Sequence, residues 1–399
     1  MLSASTRRLT AACAALGALM ALPVGLAPSA AAADVQSQQW YLSAMKADEM
    51  WKTSTGKGVK VAVVDSGVNP STPSLQGQVL VDEVPKSLAY GATQDISGHG
   101  TTMAEEIAGS GHGGGMKGLA PEAKIVPYRI GLRGMSLSQA NKAPDVAKVI
   151  RAIADSDVKI INMSFADDIY YDDVQAAIKY AASKDKLMFA GSGNDAETTN
   201  KKMYPASYPH VVGVSAIDKT GTVGKFSNHG AAVDLAAPGV NVPAWCNESF
   251  RSYCSHVNGT SDATAIASAA AALIWSAHPD WTANQVLRSL IDTAGRQWPK
   301  DTPSNYLGYG VIRPRKVLEN SHYKPGSANV DPLAVEDGAD KPKTTPSAPA
   351  KSSGGATSAA DTSAKSSGNN LTWVVVGAAA ALVVIGGAVF AVIRSRRRA

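Results

Sequence analysis

Cysteine is scarce in this chain: three in 399 residues. Cys13 falls within an N-terminal stretch that reads as an export signal, which leaves Cys246 and Cys254 as an even pair. In an oxidising compartment such a pair is expected to be bonded. Two cysteines with only His256 nearby do not make a zinc site, and the scattered carboxylates Asp167, Asp168, Asp172 and Asp173 suit a solvated helix start better than a calcium site. No metal or cofactor is therefore expected. An excess of charge is lacking too. Of the formal +5, Arg7 and Arg8 leave with the signal, and Arg394, Arg396, Arg397 and Arg398 sit at the far end. Those six removed, the intervening chain stands near −1, which argues against a nucleic-acid partner. No internal repeat is present, and large apolar residues almost vanish from the Pro/Ser/Ala-rich stretch 325–370, which reads as a disordered linker.

The two ends are informative. Residues 1–33 join Arg7 and Arg8 to a short apolar run and an Ala-rich "APSAAAAD", the pattern of a secretory signal peptide. Residues 371–393 carry no charge and as a helix would extend about 34 Å, enough to cross a hydrocarbon core. The basic tail 394–399 follows at once, so the tail is expected inside and the body outside, as in a type I membrane anchor.

Between them, 34–58 reads as a short extension and 59–324 as a folded domain. The runs "KVAVVDS", "KIVPYRI", "VKIINMSF", "KLMFAGSG" and "HVVGVSAI" are short, apolar and bounded by turn residues, as strands buried on both faces should be. "APDVAKVIRAIADSD" and "YYDDVQAAIKYAASKD" have apolar residues at helical spacing. The alternation predicts an α/β fold, with a mainly parallel sheet and helices on both faces. In such folds ligands bind beyond the carboxyl ends of the strands.

Three places carry polar residues where chemistry would need them. Asp65 ends the first strand-like run, His99 opens a helical stretch in "DISGHGTTMAEEIAG", and Ser261 lies in the opening turn of "NGTSDATAIASAAAALIW". Singly, each also suits a cap, a loop or a turn. Together they supply a hydroxyl, an imidazole to take its proton and a carboxylate to fix the imidazole, the set that nucleophilic acyl transfer requires. The chain order Asp, His, Ser is the one found in subtilisin.

On these motifs the chain resembles the subtilisin-like serine proteases. "VAVVDSGV", "GHGTTMAEEIAG" and "NGTSDATA" are similar to the family's Asp, His and Ser motifs, with "INMSF", "GSGN", "FSNHG" and "VDLAAPG" in family order. The resemblance implies an Asp65–His99–Ser261 triad and an oxyanion hole made by Asn194 and the Ser261 backbone N–H. It also implies a substrate-pairing edge at Ser164, Phe165 and Ala166, facing a wall of Gly191, Ser192 and Gly193. Gly131–Leu137 reads either as a second substrate edge or as a surface loop. Asp167 and Asp195 would make the pocket entrance acidic and favour a basic residue.

Departures from the family pattern are Asp262 directly after the nucleophile, read as a helix-capping charge, and Ala265 in place of a frequent proline. Thr102, Glu105 and Glu106 replace small residues after His99, and the two glutamates are expected to face solvent, with an effect on substrate access as the alternative. The 25-odd residues before the first strand leave no room for a long pro-segment. The layout of signal, body, linker, membrane helix and basic tail resembles the mycosins, membrane-anchored subtilases associated with type VII secretion. That resemblance implies secreted polypeptides as substrates and a secretion complex as neighbour. The rival expectation is a subtilase-shaped scaffold that performs no catalysis.

Overall fold

A computed structural model describes residues 35–132 and 135–333. The signal peptide, most of the linker, the 371–393 run and the basic tail lie outside the described residues. Among those described, no helix is long and apolar enough to cross a membrane.

The chain enters through three short helices, α1 (Val35–Gln38), α2 (Trp40–Met45) and α3 (Ala47–Trp51). Tyr41 and Met50 are buried in the main core. Polar tips fasten the segment: Gln36 Nε2 donates to the carbonyls of Gly111 and Gly115, Trp40 Nε1 to Val240 O and Trp51 Nε1 to Leu119 O. The stretch read as an extension is thus part of the folded body.

One sheet follows, made of β1 (Lys60–Asp65), β2 (Lys124–Arg129), β3 (Ile160–Met163), β4 (Leu187–Gly191), β5 (Val211–Ile217) and β6 (Leu235–Pro238). The spatial order is β2-β1-β3-β4-β5-β6 and every pairing is parallel. Side chains alternate between faces, so Val61 and Val63 enter one core while Ala62 and Val64 enter the other. Leu187 and Phe189 part from Met188 and Ala190 in the same way. Both faces are covered, which is why these strands are apolar without interruption.

The helices after β1 are α4 (His99–Ala108), α5 (Leu137–Ala140), α6 (Val146–Ala154), α7 (Asp172–Ser183), α8 (Thr260–Ala277), α9 (Ala283–Thr293) and α10 (Pro314–Leu318). The apolar faces of α6 and α7 cover one side of the sheet. The other side takes α4 and α8, which also pack on each other. Alanine-rich α8 is buried from Ala263 to Trp275, and its small side chains let it lie against five strands and α4. A two-stranded arm, β7 (Val240–Trp245) and β8 (Tyr253–Asn258), projects just before α8 and is closed by the Cys246–Cys254 disulfide.

At the C-terminal end the body extends beyond residue 324. Thr282 Oγ1 donates to Ala328 O, Arg288 Nη2 to Val330 O, and Leu333 is buried. The linker boundary read at 325 therefore comes too early by about the nine residues to Leu333.

The strand order reverses at β1: the chain steps outward to β2, then returns past β1 to start β3. The ends of β1, β3 and β4 meet at this switch, where a crevice is expected.

Candidate active site

Asp65 is the last residue of β1 and is completely buried. Its Oδ1 accepts from the Ser66 backbone N–H (2.7 Å) and lies 2.8 Å from His99 Nδ1. His99 is the first residue of α4, its side chain 39% exposed. Gly100 makes this approach feasible, because a Cβ there would collide with the Gly67 carbonyl and sit 3.1 Å from Asp65 Oδ1. Asp95, which sequence reasoning did not single out, holds the helix start. Its Oδ1 accepts from the N–H groups of Ser97 and Gly98, and its Oδ2 from the N–H and hydroxyl of Thr101. Anions at a helix N-terminus are stabilised by the amides gathered there. The available signal was an Asp four residues before the helix, which resembles any turn residue.

The electrostatics of His99 follow from these carboxylates. Partial burial disfavours the charged ring, but Asp65, through charge and hydrogen bond, outweighs it with help from Asp262 and Asp95. The pKa is pushed up to about 9.

Ser261 is the second residue of α8. Its Oγ donates to Ser164 O at 3.2 Å, and Ser164 Oγ donates in turn to Ser261 O at 3.0 Å. Among the described residues no hydrogen bond joins Ser261 to His99. Hydrogen bonds of this kind are often long or misaligned without substrate and tighten when it binds. The helix has no side-chain cap at Gly259; its first amide is used otherwise. Thr260 N–H (2.9 Å) and Thr260 Oγ1 (3.0 Å) both donate to Asn194 Oδ1. This fixes the Asn194 amide with its oxygen turned to the helix and its Nδ2 donor on the opposite side. The loop carrying Asn194 is braced by Asn228, which accepts from Asp195 N–H and donates to Lys201 O. Thr260 and Asn228 fall within the quoted "NGTSDATA" and "FSNHG" motifs, but the sequence does not assign them these bracing roles.

A cleft of about 400 Å³ opens here, lined by Ser164, Phe165, Ala166, Gly191, Asn194 and Ser261 with Asp195, Met203 and Thr260. Ser192 and Gly193, expected on its wall, lie behind it. Ser192 is buried with its hydroxyl on Asn228 O, and Gly193 N–H reaches Thr260 Oγ1 at 3.3 Å. Asp195 stands at the rim, while Asp167 pairs with Tyr204 through the backbone. Phe165 and Ala166 also line a second cleft of about 330 Å³ with Gly131, Leu132, Val146, Tyr171 and Tyr204. The 131–137 stretch thus contributes Gly131 and Leu132 to this cleft, although Leu137 is exposed.

One expectation fails outright. Glu105 and Glu106 do not face solvent; both are 0% exposed. The reason is that α4 is packed on several sides at once, by the sheet, by α8 and by the β7–β8 arm. Glu105 accepts from the hydroxyls of Thr72 and Tyr253, yet burial still pushes it up to about 7. Thr102 is used structurally, donating to Gly98 O and accepting from Trp245 N–H. Asp262 is also buried, which a purely capping charge need not be.

The model of the family described as "Subtilase family" matches residues 56–310. This chain belongs to the subtilase family. It is a serine-type endopeptidase of the subtilisin kind. Among curated relatives, this subtilase is 32% identical to Subtilisin Savinase of Lederbergia lenta over 65% of its own length and 92% of the relative's. It is 31% identical to Subtilisin E of Bacillus subtilis (strain 168), over 65% and 66% respectively. Similar solved structures include a MycP3 protease from the type VII (ESX-3) secretion system, with 29% identity, TM-score 0.58 and coverage of 70% of this chain and 87% of that one. MycP1 from Mycobacterium smegmatis gives 27% identity, TM-score 0.58 and coverage of 73% and 86%. The mycosin resemblance read from the layout is matched by these neighbours.

Proposed function

We propose that this subtilase hydrolyses peptide bonds of exported proteins through Asp65, His99 and Ser261, at the outer face of a membrane that holds its C-terminal helix. An extended substrate pairs with the backbone of Ser164–Ala166 as an added strand and seats one side chain in the cleft. Ser261 Oγ leaves the Ser164 carbonyl and attacks the scissile carbonyl as His99 takes its proton; Asp65 steadies the resulting imidazolium. The oxyanion is met by the Ser261 backbone N–H and Asn194 Nδ2. Collapse expels the amine with the proton from His99, leaving an acyl-enzyme that water hydrolyses by the reverse steps. The observation that carries this reading is the 2.8 Å contact of His99 with buried Asp65, beside a cleft lined by Ser261 and an Asn194 whose amide is held in one orientation.

The association with type VII secretion rests on the likeness to MycP1 and MycP3 and on the order of segments in the sequence. A scaffold reading draws on one observation, the Ser261 hydroxyl engaged by Ser164 instead of His99. A fluorophosphonate probe separates the two. The catalytic reading expects stoichiometric labelling that disappears in Ser261→Ala; a folded wild-type protein that takes no label supports the scaffold.

A further inference from the structure

Glu106 and Asp262 are two of the departures from the family pattern that the mechanism above leaves unused. Glu106 lies seven residues after His99 on α4, and Asp262 directly follows Ser261 on α8. Both side chains are buried, Glu106 at 0% and Asp262 at 3% exposure, where α4 packs on α8. Among the described residues, no N–H or hydroxyl donor reaches either oxygen of Glu106. The polar group it faces within hydrogen-bond reach is the Asp262 carboxyl. Glu106 has no donor of its own, whereas the Asp262 carboxyl also takes a backbone N–H, so the economical arrangement is for Glu106 to keep its proton and donate it to Asp262. An ionised pair would instead bury two like charges.

We propose that Glu106 and Asp262 form a buried acid pair holding one proton on Glu106, which pins the His99 helix to the Ser261 helix and leaves Asp262 as a second carboxylate acting on His99. This rests on His99 being the general base. Asp262 is then a positioning residue that sets the basicity of His99, with Glu106 keeping the pair at a single negative charge.

The surrounding groups are consistent with that assignment. Burial, then Asp262 and Glu105, hold Glu106 well above the carboxylate range. Burial raises Asp262 only to about 6, because His99 and the Glu106 hydrogen bond favour its charge. His99 itself feels Asp65, Asp262 and Asp95. The Tyr41 hydroxyl on α2 faces Glu106, Asp262 and Glu105, and stays protonated because burial and these acids raise it.

The test is asymmetric. In the full chain, carbethoxylation of His99 by diethylpyrocarbonate, read by peptide mass spectrometry against pH, gives its titration midpoint without requiring activity. The acid limb of fluorophosphonate labelling gives the same midpoint through catalysis. Asp262→Asn should lower both by about one pH unit, the effect of losing a nearby anion. Glu106→Gln, which mimics the protonated acid, should leave both where they are. If Asp262→Asn melts far below wild type, Asp262→Ser serves as the second neutral variant. An unmoved midpoint without Asp262, or an equal fall in Glu106→Gln, overturns the proposal. Absence of labelling at every pH, with the His99 midpoint still shifted by Asp262→Asn, would sink the catalytic reading and leave the electrostatic pair standing.

Discussion

At the scale of single residues, neighbouring polar groups have distinct consequences. Asn194→Ala should lower kcat by about 10²–10³-fold, or about 2.7–4 kcal/mol of barrier, with KM little changed, because the donor acts on charge that appears only in the transition state. Steady-state kinetics on a peptide ester check this; a change confined to KM would show Asn194 to be a binding residue. The base must be neutral to accept a proton, and His99 is pushed up to about 9, so kcat/KM should rise through neutral pH toward an inflection near that value. A plateau already reached at pH 7 would contradict it. Of these residues the structure brings His99 onto Asp65 and sets Ser261 and Asn194 on one cleft. Asp65, His99 and Ser261 each stand at a place where an apolar run begins or ends, and their order narrowed the chemistry. Asp262, Glu105 and Glu106 were not legible, because helical spacing does not tell a solvent face from one covered by a second helix.

At the scale of elements, the site depends on three junctions: the end of β1, the start of α4 and the start of α8. Asp95 accepts from the N–H groups of Ser97, Gly98 and Thr101 and from the hydroxyls of Ser66, Ser97 and Thr101, so Asp95→Ala should destabilise the body by about 2 kcal/mol, the upper range for a lost cap. It should also loosen His99. Denaturant unfolding monitored with labelling rate tests this, and equal stability with full labelling would remove Asp95 from the account. The β7–β8 arm makes a separate prediction. Replacing Cys246 and Cys254 by serine should cost about 2.5 kcal/mol on the loop-entropy model, leaving the triad spacing intact. Five strands were readable because burial on both faces makes their apolar runs continuous. β6, only four residues of Leu, Ala and Pro, gave too short a run, and β8, largely exposed, gave no apolar run at all. The N-terminal stretch 34–58 reads in the sequence as a short extension, its 40–51 part resembling the start of a mature catalytic domain. Its anchoring by Gln36, Trp40 and Trp51 across long sequence distances is not readable there.

At the scale of the whole molecule, pH acts on stability through groups whose folded pKa is raised. Glu105 moves from 4.5 to about 7 and His99 from 6.5 to about 9. Raised values mean that the folded state holds protons the unfolded chain has released. The stability is fully present below the unfolded pKa and is lost as pH rises through the folded one, from about 4.5 to 7 for Glu105 and from about 6.5 to 9 for His99. The Tm should therefore fall between pH 5 and pH 9, and calorimetry showing a rise over that window would contradict these assignments. The proposed anchor predicts that the full chain sediments with membranes after a carbonate wash, whereas a chain ending at residue 370 is released. The central claim is proteolysis by Ser261, and its most direct measurement is the incubation of an unfolded exported polypeptide with the full chain, with new termini mapped by mass spectrometry. The account predicts cleavage by the wild type and none by Ser261→Ala or His99→Ala. Identical termini from wild type and Ser261→Ala, or no cleavage by a folded wild-type chain, would contradict it.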